Sequence, residues 1–217
     1  MMEFFQAVSL TTTNGMLREP QQERTRELIE KICAATVRLV LAKGAQAINT
    51  NAIAQEAGID VSSLYRFFRN KESILVYITD RWLADIRGVY DRYRSDPACL
   101  ALPWRTYFKH LLHDWRLPGQ KDLYACMTGI WNYFPELEKL NEYQRDFHVA
   151  FFVEQFERFG ARGSKKEWEL LATYLYHVED AVHEAAACYD DAEGQAILDL
   201  FYESFFLQVG HYLSDSG

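Results

Sequence analysis

The stretch NTNAIAQEAGIDVSSLYRFFRNKE, from Asn49 to Glu72, reads as two short helices folded about a glycine. Asn49 carries a side-chain oxygen suited to cap a helix over 50–57. Gly58 is the residue type that most readily takes the left-handed conformation ending such a helix. Asp60 caps a second short helix over about 61–68. In the first helix Ile53, Ala54 and Ala57 fall on one face, and the small side chains at 54 and 57 let a neighbouring helix approach closely. Ile59 plugs the angle between the two. In the second, Leu64 and Phe68 lie four apart and face inward, leaving Val61, Ser62, Ser63, Tyr65 and Arg66 facing out. A pair of short helices about a glycine turn is a helix-turn-helix, whose second helix enters the major groove of DNA.

The outward face has matching chemistry. Serine hydroxyls at 62 and 63 pair with several base edges, and Val61 suits a thymine methyl. Tyr65, Arg66 and Lys71 are candidate phosphate contacts, with the positive end of a helix starting at Lys71 adding to the attraction.

Around this motif the chain reads as helical throughout. From residue 21 to Lys43, Leu28, Ile32, Cys33, Thr36, Leu39 and Val40 recur at helical spacing, and Gly44 gives a stop. A long helix begins near Lys71 with the stripe Ile74, Tyr77, Ile78, Trp82, Ile86, Val89, Tyr90 and Tyr93, and ends before Pro97. Further helices are expected near 102–115, 120–133, 136–159, 165–188 and 192–213, separated by proline, glycine and aspartate breaks. No alternating strand pattern and no repeat is present, so the expected class is all-α. Residues 1–20 are polar and aperiodic and read as a mobile tail, within which Met16 is a second candidate start. The expected organisation is therefore a tail over 1–20, a DNA-binding domain over 21–70 and a helical body over 71–217.

Charge is distributed unevenly along the chain. The net charge is −8, yet residues 18–71 hold nine Lys/Arg against six Asp/Glu, and the remainder 14 against 25. A locally basic end on an acidic body permits phosphate contact while the body stays soluble. No apolar run approaches the roughly 20 residues needed to cross a bilayer, and the start lacks the pattern of a secretory signal. A cytoplasmic protein is expected. The four cysteines stand apart from one another and read as reduced, mostly buried thiols.

The run I-A-x-x-A-G-I-x-x-x-x-L-Y-x-x-F-x-x-K-E, from Ile53 to Glu72, resembles the signature of the TetR family of transcriptional regulators. The resemblance covers about 50 residues in its order of elements, its Leu64-Tyr65 pair and its Phe68-to-Lys71-Glu72 spacing; the body is similar only in length and helical pattern. It implies base or groove contact by Asn51, Val61, Ser62 and Ser63, and phosphate contact by Thr50, Tyr65, Phe67 and Lys71. Phe67 also fits a core position. Val61, Ser62 and Phe67 depart from the residue types common in the family, which bears on the operator read rather than on DNA binding. The family further implies a homodimer through the last two helices, with two reading helices about 34 Å apart, and release of operator DNA by a small effector.

Two apolar stripes fit that dimer: Leu171, Tyr174, Leu175, Val178, Val182 and Ala185, then Leu198, Phe201, Tyr202, Phe205, Val209 and Tyr212. The interface expected on them is Leu171, Tyr174, Val178, Phe201, Phe205 and Val209. Packing of both stripes inside one subunit is the alternative. Between the motif and these stripes lies a concentration of large rings that reads as core and, in part, as an apolar ligand cavity. Trp82, Tyr107, His110, Trp131, Phe151, His177 and Asp180 are the candidate effector contacts, and the effector expected is small and largely apolar or aromatic. His177 and His183 are six apart and fall on different helix faces, so no metal site is expected, nor any cofactor.

A helical-bundle enzyme would need a nucleophile–base pair, a metal cluster or a phosphate loop, and no G-x-x-x-x-G-K-[ST], H-E-x-x-H or G-x-S-x-G occurs. The function expected is a ligand-released repressor; a ligand-activated regulator and a non-DNA-binding adaptor are the alternatives.

Overall fold

The computed structural model describes residues 15–17, 22–115, 126–127 and 130–214. Most of the expected tail, and residues 120–125 and 128–129 of the expected helix over 120–133, lie outside the described residues. Among the described residues the elements are helical: α1 Glu23–Lys43, α2 Thr50–Ala57, α3 Val61–Tyr65, α4 Lys71–Ser95, α5 Pro97–Leu100, α6 Trp104–Asp114, a 3₁₀ turn Trp131–Tyr133, α7 Pro135–Arg158, α8 Lys165–Ala187 and α9 Asp191–Tyr212. The chain is all-α, and the extended structure among these residues is one isolated bridge between Met16 and Phe68. α5 was not foreseen: Asp96 caps it through Ala98 N at 2.8 Å, and Pro97 opens it, so the proline that stops α4 starts the next turn.

The chain divides into two compact units, one of residues 1–85 and 118–140, the other of residues 86–117 and 141–217. The division cuts α4 after Asp85, whereas the sequence suggested a boundary at the start of that helix.

The first unit is built largely on the faces that periodicity marked, although Leu28 of the expected stripe is half-buried and Ile29 and Leu75, outside the expected stripes, are buried. Ile29, Ile32, Cys33, Leu39 and Val40 of α1, Ile53 and Ala54 of α2, Leu64 of α3 and Ile74, Leu75 and Ile78 of α4 are all buried. Within this core a charge is also held: Arg81, 2% exposed, donates to Glu30 at 2.6 Å, joining α4 to α1. Burial pushes the Glu30 carboxyl up, and the Arg81 charge opposes it. Trp82 and Trp131 stack at 6.0 Å in the same unit.

The second unit is a ring cluster. Phe108 of α6 stacks on Phe152 of α7 at 5.5 Å and 12°, and Phe205 of α9 meets both edge-on. Tyr107 donates to Gln155 at 3.0 Å, so its hydroxyl is satisfied inside the core. A capping box at Ser164 and Glu167 starts α8, and Asp190 caps α9 through two backbone N–H groups.

α8 and α9 cross closely at Gly194, where an added Cβ would lie 2.7 Å from the Ala186 carbonyl oxygen. Gly194→Ala gains up to about 1 kcal/mol of helix propensity but forces two helix backbones apart, an overpacking cost of about 1–3 kcal/mol. The expected result is net destabilisation, read as a lower midpoint in urea unfolding at unchanged slope.

Candidate nucleic-acid interface

Asn49 accepts from Ala52 N at 2.9 Å and fixes the start of α2. At its other end Gly58 takes φ 66 and ψ 38, and Ile59 N reaches back to Ala54 O at 3.0 Å, closing the helix in a Schellman turn. That turn aims α3 across α2. Leu64 and Phe68 are fully buried behind α3, as their four-residue spacing requires. α3 itself is shorter than expected, five residues with Arg66 at its end, and Phe67 and Phe68 belong to the following turn.

The outward set is largely as expected. Ser62, Arg66 and Asn51 are exposed, Val61, Ser63 and Thr50 are half-buried, and Tyr65 is 47% exposed. Thr50 Oγ1 and Tyr65 Oη share a hydrogen bond of 2.8 Å, which ties the first residue of α2 to the last of α3. The two side chains that the family resemblance assigned to phosphate thus form one polar unit beside the exposed face.

Two assignments are corrected. Phe67 is 3% exposed, so its ring is core and is withdrawn from any surface a duplex could touch. Lys71 does not project outward either. Its Nζ donates to the carbonyl oxygens of Ala45, Gln46 and Ile48 at 2.9, 2.9 and 3.1 Å. These carbonyls belong to the loop between α1 and α2, and one ammonium gathers them all, a use for which its three donors suit it. The positive end of α4 is also partly taken, because Ser73 N donates to Asn70 Oδ1 at 2.9 Å and Asn70 N to Ser73 Oγ at 3.2 Å.

The expected effector contacts are divided between the two units. Trp82 and Trp131 stack in the first unit. In the second, Tyr107 and Phe151 are fully buried among other rings, and His110 and His177 are exposed. Asp180 is half-buried, and burial together with the Glu184 charge pushes its carboxyl up to about 7. Sequence reasoning missed the interior polar groups beside it. His148 Nδ1 meets Tyr90 Oη at 2.7 Å, and burial pushes the ring down to about 3, so it stays neutral. Tyr176 donates to Asn141 Oδ1 at 2.6 Å, and Glu179 is 9% exposed with its carboxyl pushed well up by burial. The available signal was Glu179 standing in the inward stripe of Ala172, Leu175, Tyr176 and Ala186. Among the described residues no group of three His, Cys, Asp or Glu comes together to hold a metal.

The expected dimer surface is also corrected. Phe201, Phe205 and Val209 are 5%, 1% and 0% exposed and fill the core of their own unit. Leu171 and Val178 are half-buried, and Tyr174 is 48% exposed. On α8 and α9 the large apolar side chains left exposed are Leu170, Tyr174, Leu200 and Leu207, at 59%, 48%, 67% and 77%. Leu170, Leu171 and Tyr174 line a groove of about 300 Å³ with Gln208 and Tyr212. Leu200 and Leu207 are seven apart and lie nearly opposite Phe205 on the helix, a second stripe that the sequence already contained.

Residues 32–78 match the family model described as bacterial regulatory proteins, tetR family. No curated protein matches the chain. Among solved structures, a TetR-like transcriptional regulator from Rhodococcus sp. RHA1 is 18% identical, with a TM-score of 0.67 over 89% of this chain and all of the other. The fatty acid degradation regulator FadR from Bacillus halodurans is 16% identical, with a TM-score of 0.64 over 85% and 97%. SmeT in complex with triclosan is 15% identical, with a TM-score of 0.58 over 88% and 93%. At these identities the likeness is one of fold. No helix among the described residues is long and apolar enough to cross a membrane.

Two outcomes follow from these placements. Lys71→Met strips three carbonyls of a charged donor while keeping the aliphatic stem. It should lower stability by about 1–3 kcal/mol, read by chemical unfolding. Asp180 has a folded-state value raised above the unfolded one, so its protonated form contributes stability fully below about pH 4 and loses it as pH rises through about 7. Asp180→Asn should flatten that decline: melting temperatures compared at pH 5 and pH 8 should fall less for the variant than for the parent protein.

Proposed function

We propose, from the match of residues 32–78 to the family model of bacterial regulatory proteins, tetR family, that the chain is a cytoplasmic repressor that grips a palindromic operator as a homodimer and lets go when a small apolar or aromatic effector binds. The observation that carries this reading is the exposed face of α3, with Ser62, Tyr65 and Arg66 outward and Leu64 and Phe68 buried behind. Ser62, Ser63 and Val61 read base edges, the Thr50–Tyr65 pair and Arg66 hold phosphates, and Asn51 at the start of α2 flanks the groove. Phe67 and Lys71 support this surface from within and do not take part in contact.

Dimerisation uses the apolar stripe that one subunit leaves open, Leu170 and Tyr174 of α8 with Leu200 and Leu207 of α9. A two-fold axis through such a self-complementary patch sets two reading helices about 34 Å apart, one turn of B-DNA. Support for a small effector comes from the ring-rich body with its interior polar groups at His148, Tyr176, Glu179 and Asp180, and from SmeT, a fold relative solved with triclosan. An effector that fits one conformation of the body better shifts the population toward it, and α4 is the covalent route by which that shift reaches the DNA-binding residues.

A duplex selected by the full-length protein from a random pool should be palindromic. Arg66→Ala should weaken it roughly tenfold and reduce the slope of log affinity against log salt by about one, as the loss of one phosphate contact requires. Lys71→Met should leave that slope unchanged. Leu200→Glu with Leu207→Glu should yield folded monomers in analytical ultracentrifugation; a persisting dimer would place the interface elsewhere.

A further inference from the structure

Among the described residues that precede α1, 15–17 lie against the turn that ends α3 and the start of α4. Met16 pairs in antiparallel fashion with Phe68, and Leu17 N donates to Phe67 O at 2.8 Å. Residues 15–17 belong to the segment whose composition suggested a mobile tail, and here they hold the turn that ends α3. Gly15 lies against the first turn of α4 with φ +81. A Cβ at this position would sit 2.1 Å from Ser73 O and 3.1 Å from Tyr77 N. Both are helix backbone atoms, which cannot swing aside as a side-chain tip can. The backbone conformation and the missing Cβ are therefore both required for the chain to pass.

The position of this crossing matters because of what α3 lacks. A five-residue helix cannot sustain itself, since the cost of forming the first turn is recovered only over many further hydrogen bonds. The C-terminal turn of α3 rests on Phe67 N and Phe68 N, which both donate to Leu64 O at 3.0 Å. Phe67 O lies outside that ladder, and Leu17 N satisfies it. Leu64 and Phe68 fix how deep α3 sits, and the Thr50–Tyr65 bond fixes it to α2. In the turn between Arg66 and Asn70, through which α3 is joined to α4, Phe67 and Phe68 are held by burial of their rings and Asn70 by Ser73, while the Phe67 carbonyl is held by Leu17 N.

We propose that Gly15–Leu17 is a strap that fixes the C-terminal end of α3 against α4, and that Gly15 and Leu17 are positioning residues for operator recognition. They touch no base or phosphate. They hold Tyr65 and Arg66 at the pitch the groove demands, where a shift of about 1 Å is enough to lose a well-placed contact. This rests on the operator-binding reading above for its function and on backbone geometry alone for its structure.

The test uses full-length protein and four variants: Gly15→Val, Leu17→Pro, removal of residues 1–14 and removal of residues 1–17. Hydrogen exchange at the amides of Phe67 and Phe68 reads the strap without DNA. Affinity for the duplex selected by the parent protein, against a random duplex of equal length, reads its function. Gly15→Val, Leu17→Pro and removal of 1–17 should raise exchange at those two amides at least tenfold. They should cut affinity for the selected duplex about tenfold and leave affinity for the random duplex and the melting of the second unit unchanged. Removal of 1–14 should change none of these.

Parent-like exchange in the first three variants would overturn the strap. Raised exchange with intact selected-duplex affinity would overturn the positioning role, as would equal losses on both duplexes or the full effect from removing 1–14 alone. If the parent protein selects no duplex, the operator-binding reading and the positioning role fail together, and the exchange measurement still decides whether 15–17 hold α3.

Discussion

α3, on which the proposed operator contacts rest, is too short to keep its own shape, so the burial of Leu64 and Phe68 behind it is the constraint on which the rest of the module depends. Each fully buried leucine or phenylalanine contributes about 1.5–3 kcal/mol, more than one exposed turn of helix supplies. The neighbouring features serve that packing. Gly58 bends the chain so that α3 lies over α2, and Ala54 at the crossing leaves room for it. Lys71 ties the head of α4 to the α1–α2 loop through three carbonyls, so the helices behind α3 form a closed frame.

Most of this frame was legible in the sequence because it rests on periodicity and on residue types with few conformational options. The inward faces of α1, α2 and α4 followed from helical spacing, and the turn followed from Gly58. Features made by backbone groups were not legible. Nothing in the residues Gly15, Met16 and Leu17 announces that their peptide groups meet Phe67 and Phe68, since a single bridge has no period. Lys71 looked like a phosphate ligand because a lysine at a helix start usually projects into solvent; the carbonyls that collect it come from a loop more than twenty residues earlier. Phe67 was ambiguous for a related reason. It lies past the last α-helical residue of α3, so helical spacing no longer says which way it faces.

The body was misread where two apolar stripes share one helix. On α9 the stripe Phe201, Phe205 and Val209 is the stronger signal, and the family resemblance implied an interface on it. Its bulk is what a core requires, and the rings of α6 and α7 surround it there. The weaker stripe, Leu200 and Leu207, remains outside. Apolar character identifies both faces of such a helix, and the packing of the whole unit decides which one stays within the subunit. The same packing bears on the effector residues: Tyr107 and Phe151 are surrounded by rings, and the polar groups held inside include Gln144, His148, Gln155, Tyr176 and Glu179, which the sequence shows only as interruptions of apolar stripes.

The electrostatics of the reading face give geometry more weight than charge. Of the basic residues that make the N-terminal segment positive, Arg38 is paired with Glu56 at 2.8 Å and Lys71 is turned onto carbonyls; outside that segment, Arg81 is buried against Glu30. Arg66 and Arg69 are the exposed cations closest to α3. On the proposed reading, a chain of net charge −8 draws less from counterion release, the sequence-independent part of DNA affinity, than a strongly basic one would. Recognition, on that same reading, comes from short, orientation-dependent contacts by Val61, Ser62, Ser63 and the Thr50–Tyr65 pair, whose strength falls off within a fraction of an ångström. A weakly charged reader can discriminate only if its helix is held still. That is why the frame behind α3 binds it from several sides, although the helix itself contributes little to folding.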